Sequence, residues 1–498
     1  MGVSPASVSD AIETFWYWNS GRFLPVPPAD LGLLVAEPIA ADHGGTAASP
    51  QERGLERSWL GSAAASPEPA VRAAVLRVFG GLGAAGDGLP LLLVGLGDPS
   101  PIVQQAAALA LGEHGGTAAR FALVRTLGDP ASDELLRSCA ALGLGIASRV
   151  EGVVPARELR RAAAAGLPQL CEAACAAAVL AGCLELKDEL RRELQSRRAR
   201  ELPAASIPCA VVGEERDAAV GFLRPWLASP DDDLRFAALT VAARGGSLDA
   251  TGMRAALRRP DSLDTVRGLL VAASCPEFSQ LAKEYAQTAR AAFGFALATN
   301  ACELGLAKAW QPVAAVEREH HVAEERPIWL LAAALTGDPA AASRAQLVLQ
   351  DDGRDERWRY FALTAAGVAG GPVLDCVRRA VVLDPVVRLR RAAAFLCAHH
   401  ATDADLATLR HAVLHTEAAD ERASLLISLG RTRRAVAGPL LRRFAGDGDA
   451  PEIVRLGAWR GIAHALHRSG RSPLVALGER GGHEWLSPWL AEQVAEAR

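Results

Sequence analysis

Residues 98–130 read DPSPIVQQAAALALGEHGGTAARFALVRTLGDP, opening on Asp98-Pro99 and closing on Asp129-Pro130. Between the two dipeptides lie two apolar runs with helical spacing, parted by the Gly-rich turn around Gly115-Gly116. This is one helix–turn–helix unit. Its apolar face is too broad to be covered by its own two helices, so it requires further units on either side.

Those units are present. PEPAVRAAVLRVFGGLG follows Ser66, PSPIVQQAAALALGEHG follows Asp98, and PASDELLRSCAALGLG follows Asp129. Arg72, Gln104 and Arg137 fall at matching places, with steps of 32 and 33 residues, and Gly80, Gly112 and Gly145 repeat the same two steps. The pattern blurs over 146–215, where RRELQSRRAREL and then PAASIP break the run, and returns at Arg235 and Arg267. It is cleanest in the last third, where Arg359, Arg390, Arg422 and Arg455 are spaced by 31, 32 and 33. Residues 1–58 lie outside the repeat: Phe15 to Trp18 are four consecutive aromatics, Pro25, Pro27 and Pro28 follow, and 42–54 reads as a linker. The expected organisation is therefore an N-terminal cap and linker over 1–58, repeats over 59–205, repeats over 206–477, and a C-terminal capping helix over 478–498.

A period near 32 residues, with Asp or Ser and Pro followed by Val/Leu-Arg-x-Ala-Ala, resembles the HEAT-like repeat, the short variety typified by phycobilin lyases in particular. The resemblance covers about four fifths of the chain. It implies an all-α fold, a right-handed α-solenoid of helical hairpins in which the helix after the Asp lines the concave side. The residue chemistry agrees with it: Asp or Ser suits a helix N-terminus, Pro its first turn, and Gly its end. With helices about 8–10 Å apart, a dozen layers would span on the order of 100 Å. The FWYW segment leading into Ala-rich repeats is also faintly similar to proteobacterial HEAT-repeat proteins encoded beside type VI secretion components.

Composition narrows the function classes. Of 498 residues 50 % are apolar but only 5 % aromatic, so the core must be Ala, Leu and Val. A net charge of −4 argues against a general nucleic-acid binder, although some HEAT-like glycosylases grip DNA in a basic groove. Nine cysteines scattered through Ala-rich segments suit a reduced, cytoplasmic protein, and no apolar run reaches the roughly 18 residues of a membrane span.

Chemical motifs are weak. Gly81-Leu-Gly83-Ala-Ala-Gly86 matches the dinucleotide spacing, but a helical run precedes it where the fingerprint needs a strand. His411 and His415 stand one turn apart, yet Ala412 occupies the place of the zincin glutamate, and Cys171, Cys175 and Cys183 lack partners at metal-ligand spacing. The iron-binding HEAT-like hydroxylases repeat a His-Glu pair, which here occurs once, at His483-Glu484. No catalytic residue, cofactor or metal site is expected, and the protein is read as a non-catalytic scaffold that binds a protein partner.

The recurring Arg has two readings, a structural ladder to the Asp of the neighbouring repeat or a ligand surface. Beyond the ladder, the last third carries Arg388, Arg391, Arg431, Arg433, Arg434, Arg442 and Arg443, with Trp358 and Trp459 nearby. Arg and Trp dominate binding hot spots. The residues expected to meet a partner are therefore Trp358, Arg359, Arg388, Arg390, Arg391, Arg422, Arg455 and Trp459.

Overall fold

The computed structural model describes residues 59–194 (apart from 84–87 and 154), 210, 216–228, a few isolated positions between 238 and 334, and 340–466 apart from 352. The aromatic segment Phe15 to Trp18, the linker over 42–54, Arg235, Arg267, the pair His483-Glu484 and the tail over 478–498 lie outside the described residues. Every regular element among the described residues is helical.

In chain order the helices are α1 (Pro69–Leu82), α2 (Leu89–Gly95), α3 (Pro101–His114), α4 (Thr117–Gly128), α5 (Glu134–Glu151), α6 (Ala156–Ala163), α7 (Pro168–Ala181), α8 (Leu184–Leu194) and α9 (Arg216–Leu223). Then follow α10 (Ala340–Gln350), α11 (Glu356–Ala369), α12 (Leu374–Leu383), α13 (Val387–His400), α14 (Asp403–His415), α15 (Ala419–Arg431), α16 (Gly438–Ala445) and α17 (Glu452–Leu466). Pro69, Pro101 and Pro168 open α1, α3 and α7, where the missing N–H is not needed. Glycines end the helices: Gly152 (φ 70°) and Gly182 (φ 68°) follow α5 and α7 in the left-handed region that other residues avoid.

The repeat Asp does a job other than the simple cap expected. Asp98 and Asp384 sit two residues before the N-caps Ser100 and Val386 and accept those residues' backbone N–H at 2.8 and 2.9 Å. This turn leaves the second carboxylate oxygen for the Arg ladder. Asp133 and Asp355, by contrast, cap α5 and α11 directly.

The chain divides into two compact units, one holding the described residues of 215–412 and the other those of 43–214 and 413–479. The second unit joins sequence-distant repeats. Its inner helices pack side by side in the order α15, α17, α1, α3, α5, α7. The C-terminal hairpins therefore continue directly onto the first repeat. Shorter helices α16, α2, α4 and α6 lie along the other side of this row. In the first unit, α11 packs on α13, flanked by α10 and α12.

Small residues set the spacing of the inner row. A Cβ on Gly80 would lie 2.6 Å from the Ala110 Cα, one on Gly112 2.5 Å from the Gly143 Cα, and one on Gly145 2.6 Å from the Ala177 Cα. Backbones thus approach closely where α1, α3, α5 and α7 cross. Gly457 meets the Ala423 backbone in the same way across α17 and α15. Ala and Leu supply the rest of the core; Ala106 to Leu111, Ala140 to Leu142 and Ala173 to Leu180 are all buried. Burying helices on every side in this way is consistent with their being apolar all round. The six described cysteines are buried thiols, and desolvation pushes Cys397 well up, away from thiolate chemistry.

Candidate partner-binding surface

The Arg ladder is built from two recurring contacts. Arg72 makes a bidentate pair with Asp98, Nε and Nη2 each donating at 2.8 Å. Arg359 donates to Asp384 at 2.8 Å, and Arg455 donates to Glu68 at 2.7 Å. The second contact reaches back six residues to a loop carbonyl. Arg72 donates to Ser66, Gln104 to Asp98, Arg390 to Asp384 and Arg422 to Thr416. Gln104, which interrupts the Arg series, makes this second contact alone because it carries no charge to pair.

These contacts tie each inner helix to the loop before it and to the next repeat. The Asp98 carboxyl is held below the usual range by the hydrogen bond from Arg72, and Arg72 is correspondingly raised. Arg137 departs from the series, donating to the Leu127 carbonyl at 3.1 Å.

Of the eight residues expected to meet a partner, Arg359 and Trp459 are only 7 % and 1 % exposed and are taken up inside the fold. Trp459 stacks on Trp59, with ring centroids 4.5 Å apart and planes 17° from parallel. Arg390, Arg422 and Arg455 are half-buried ladder members. The half-buried Trp358 lies 5.7 Å from Arg354 and Arg388 lies 5.6 Å from the Tyr360 ring, both in cation–π range. Arg391 is half-buried on α13. The eight divide between the two units, Trp358 to Arg391 in one and Arg422 to Trp459 in the other.

Two groups escaped the sequence reading. Glu68 and Trp59 receive α17, and nothing in the repeat pattern marked them for it. Arg378 pairs with Asp405 at 2.7 Å and Asp375 at 2.5 Å, while Asp405, buried at the start of α14, also accepts from the Thr402 backbone N–H at 2.9 Å. That cluster fixes the α12–α14 corner.

The other motifs resolve plainly. The glycine run at 81–86 begins in the end of α1, with Gly83 (φ 63°) as its C-cap, and no strand precedes it. His411 and His415 are exposed on α14, and no group of three or more His, Cys, Asp or Glu side chains is placed to hold a metal ion among the described residues. No described helix is long and apolar enough to cross a membrane.

With the hairpins, the ladder and the stacked row in place, comparison with known proteins is informative for one segment. Residues 58–145 match the HEAT-repeat family model. That segment takes in α1 to α4 and most of α5, so these first hairpins match HEAT repeats. Comparison with curated proteins finds none that matches. Among solved structures, an engineered protein aligns over 82 % of this chain and 98 % of its own at 16 % identity with a TM-score of 0.19, an overlap too loose to define a shared fold.

Proposed function

We propose that this protein is a non-catalytic scaffold or adaptor that binds a protein partner through its stacked hairpins. The observation that carries the reading is the uninterrupted row α15–α17–α1–α3–α5–α7, a stack of HEAT-like hairpins whose ladder arginines are spent on holding repeats together. A stack of this kind offers an extended surface, the feature repeat proteins use for recognition. The likeness of the N-terminal aromatic segment to HEAT-repeat proteins near type VI secretion components makes secretion-associated assemblies the first place to look for the partner.

The test is affinity capture of the full chain from its own cell extract, with and without nuclease, read by mass spectrometry. A stoichiometric protein that survives nuclease, and that binds again when both proteins are purified, is the expected result. Enrichment that vanishes with nuclease would replace the scaffold reading with a nucleic-acid one. Recovery of the chain alone, at every expression level tried, would remove it.

A further inference from the structure

The outer helices α2, α4 and α6 of the second unit lie side by side, α2 against α4 and α4 against α6. Their inward sides are apolar and buried: Leu92 on α2, Ala119, Ala122 and Leu123 on α4, Leu159 and Ala162 on α6. A Cβ on Gly95 of α2 would meet Leu76 of α1, and one on Gly143 of α5 would meet Leu123 of α4, which fixes those sides toward the inner row. The opposite sides face solvent. On α2 that side carries Leu93 and Val94, 39 % and 73 % exposed, and on α4 it carries Phe121, 69 % exposed. Arg125 on α4 and Arg157, Arg160 and Arg161 on α6 are exposed beside them, and among the described residues none of the four has a hydrogen bond or ion pair.

We propose that this outward face of α2, α4 and α6 docks on an anionic lipid surface. Leu93, Val94 and Phe121 enter the boundary between headgroups and acyl chains, and the four arginines pair with lipid phosphates. Large exposed apolar side chains gathered on one face mark an interaction site. Peripheral attachment needs both components found here, apolar side chains to insert and basic ones to meet anionic headgroups. Guanidinium suits phosphate oxygens, and mobile headgroups can gather round charges that no fixed ligand would match. The contact lies on the surface and requires no membrane-spanning helix.

Charge complementarity carries the choice of ligand. The three helices hold Arg120, Arg125, Arg157, Arg160 and Arg161 against a single acid, the half-buried Glu158, in a chain whose net charge is −4. Acids at the helix ends are engaged within the chain. Asp98 pairs with Arg72 and Glu151 with Arg120, while Asp129 accepts from the Ala131 N–H and Ser132 and Asp133 caps α5. Nucleic acid would use the arginines but leave the aliphatic Leu93 and Val94 in water. Helices of 7, 12 and 8 residues, each turning one side outward, present fewer residues than the roughly 20–30 a side of a stable protein interface.

The probes are vesicles of phosphatidylcholine alone and of phosphatidylcholine with one third phosphatidylglycerol, and co-sedimentation of the full chain is the readout. Partition onto the phosphatidylglycerol vesicles is expected to be at least tenfold stronger. Each Arg→Gln change should weaken it about fivefold, and the triple variant Arg157→Gln, Arg160→Gln, Arg161→Gln about a hundredfold. Val94→Ser with Phe121→Ser, which leaves the charge alone, should weaken it at least fivefold. Arg410→Gln, at an exposed position on α14, should leave it unchanged. All these side chains lie on the surface, and helical content and melting temperature check that the variants fold. Equal partition onto the two kinds of vesicle, or undiminished binding by the triple variant, overturns the proposal. Loss in the arginine variants with none in Val94→Ser, Phe121→Ser overturns the inserted face and leaves charge alone. Full displacement from the vesicles by a single-stranded oligonucleotide at equal phosphate concentration overturns it in favour of nucleic acid. If the wild type ignores vesicles and the triple variant no longer captures the protein partner, this face belongs to that partner: the lipid proposal falls and the scaffold reading stands.

Discussion

His399, near the C-terminal end of α13, shows what burial does to a single group. Desolvation, with the neighbouring His400 adding to it, lowers its pKa to about 4 from an ordinary 6.5. His400 itself bonds through Nε2 to the Gly367 carbonyl at 2.7 Å, tying α13 to α11. The folded chain keeps His399 neutral while the unfolded chain takes up a proton below about pH 6.5. Its effect on stability is therefore absent above pH 6.5, grows as the pH falls, and is complete below about 4, costing on the order of 3 kcal/mol. Urea unfolding of wild type and His399→Asn between pH 4 and 8 checks this. The wild type should lose more stability than the variant across that window, and parallel curves would contradict the assignment. Nothing in the sequence distinguished His399 from surface histidines. Its place at a helix end says little about depth, because burial is set by the neighbouring repeat.

At the scale of the helix, the crossings of the inner row depend on glycine for close approach. A Cβ on Gly430 of α15 would fall inside the Gly461 backbone of α17. Gly430→Val should therefore destabilise the second unit by roughly 1–3 kcal/mol through overpacking. Gly128, at the end of α4 with nothing within 4 Å of its would-be Cβ, should accept Ala without loss. Thermal unfolding of the two variants makes the comparison, and an unchanged melting temperature for Gly430→Val would show that the helices can part freely. Helices of this kind were legible from the chain because Asp-Pro starts and Gly stops are local signals. The matching Gly80, Gly112 and Gly145 even marked the crossings, though not what each would touch. The ladder Arg was equally visible, but its acceptors were not: Asp98 accepts from Arg72 while also turning the backbone at Ser100, and Gln104 uses a carbonyl. Which oxygen accepts depends on how neighbouring loops sit, and that is fixed by packing.

For the molecule as a whole, periodicity revealed that each repeat has neighbours but not which ones. Equivalent repeats are interchangeable in pattern, so the placement of α17 against α1 was hidden. Trp59 and Trp459 form the stacked contact there, and Arg455 with Glu68 the ion pair. Trp59→Ala should weaken this joint by roughly 2–3 kcal/mol. Hydrogen exchange should then quicken together in α17 and α1, by tenfold or more, while α3 to α7 stay protected. Acceleration in one of the two helices alone would mean that the joint is not a single cooperative contact.

The same joint bears on how the chain is made. Glu68 and Arg455 are 387 residues apart. At ribosomal rates of about 5–20 residues per second, α1 is complete roughly 20–80 s before its neighbour α17 exists. During that interval the nascent first repeat has α3 on one flank and an open apolar flank on the other. Closing this joint is a long-range step that local helix formation cannot hasten. Until the C-terminal hairpins leave the ribosome, the nascent array has a side that either a chaperone or another nascent chain can occupy.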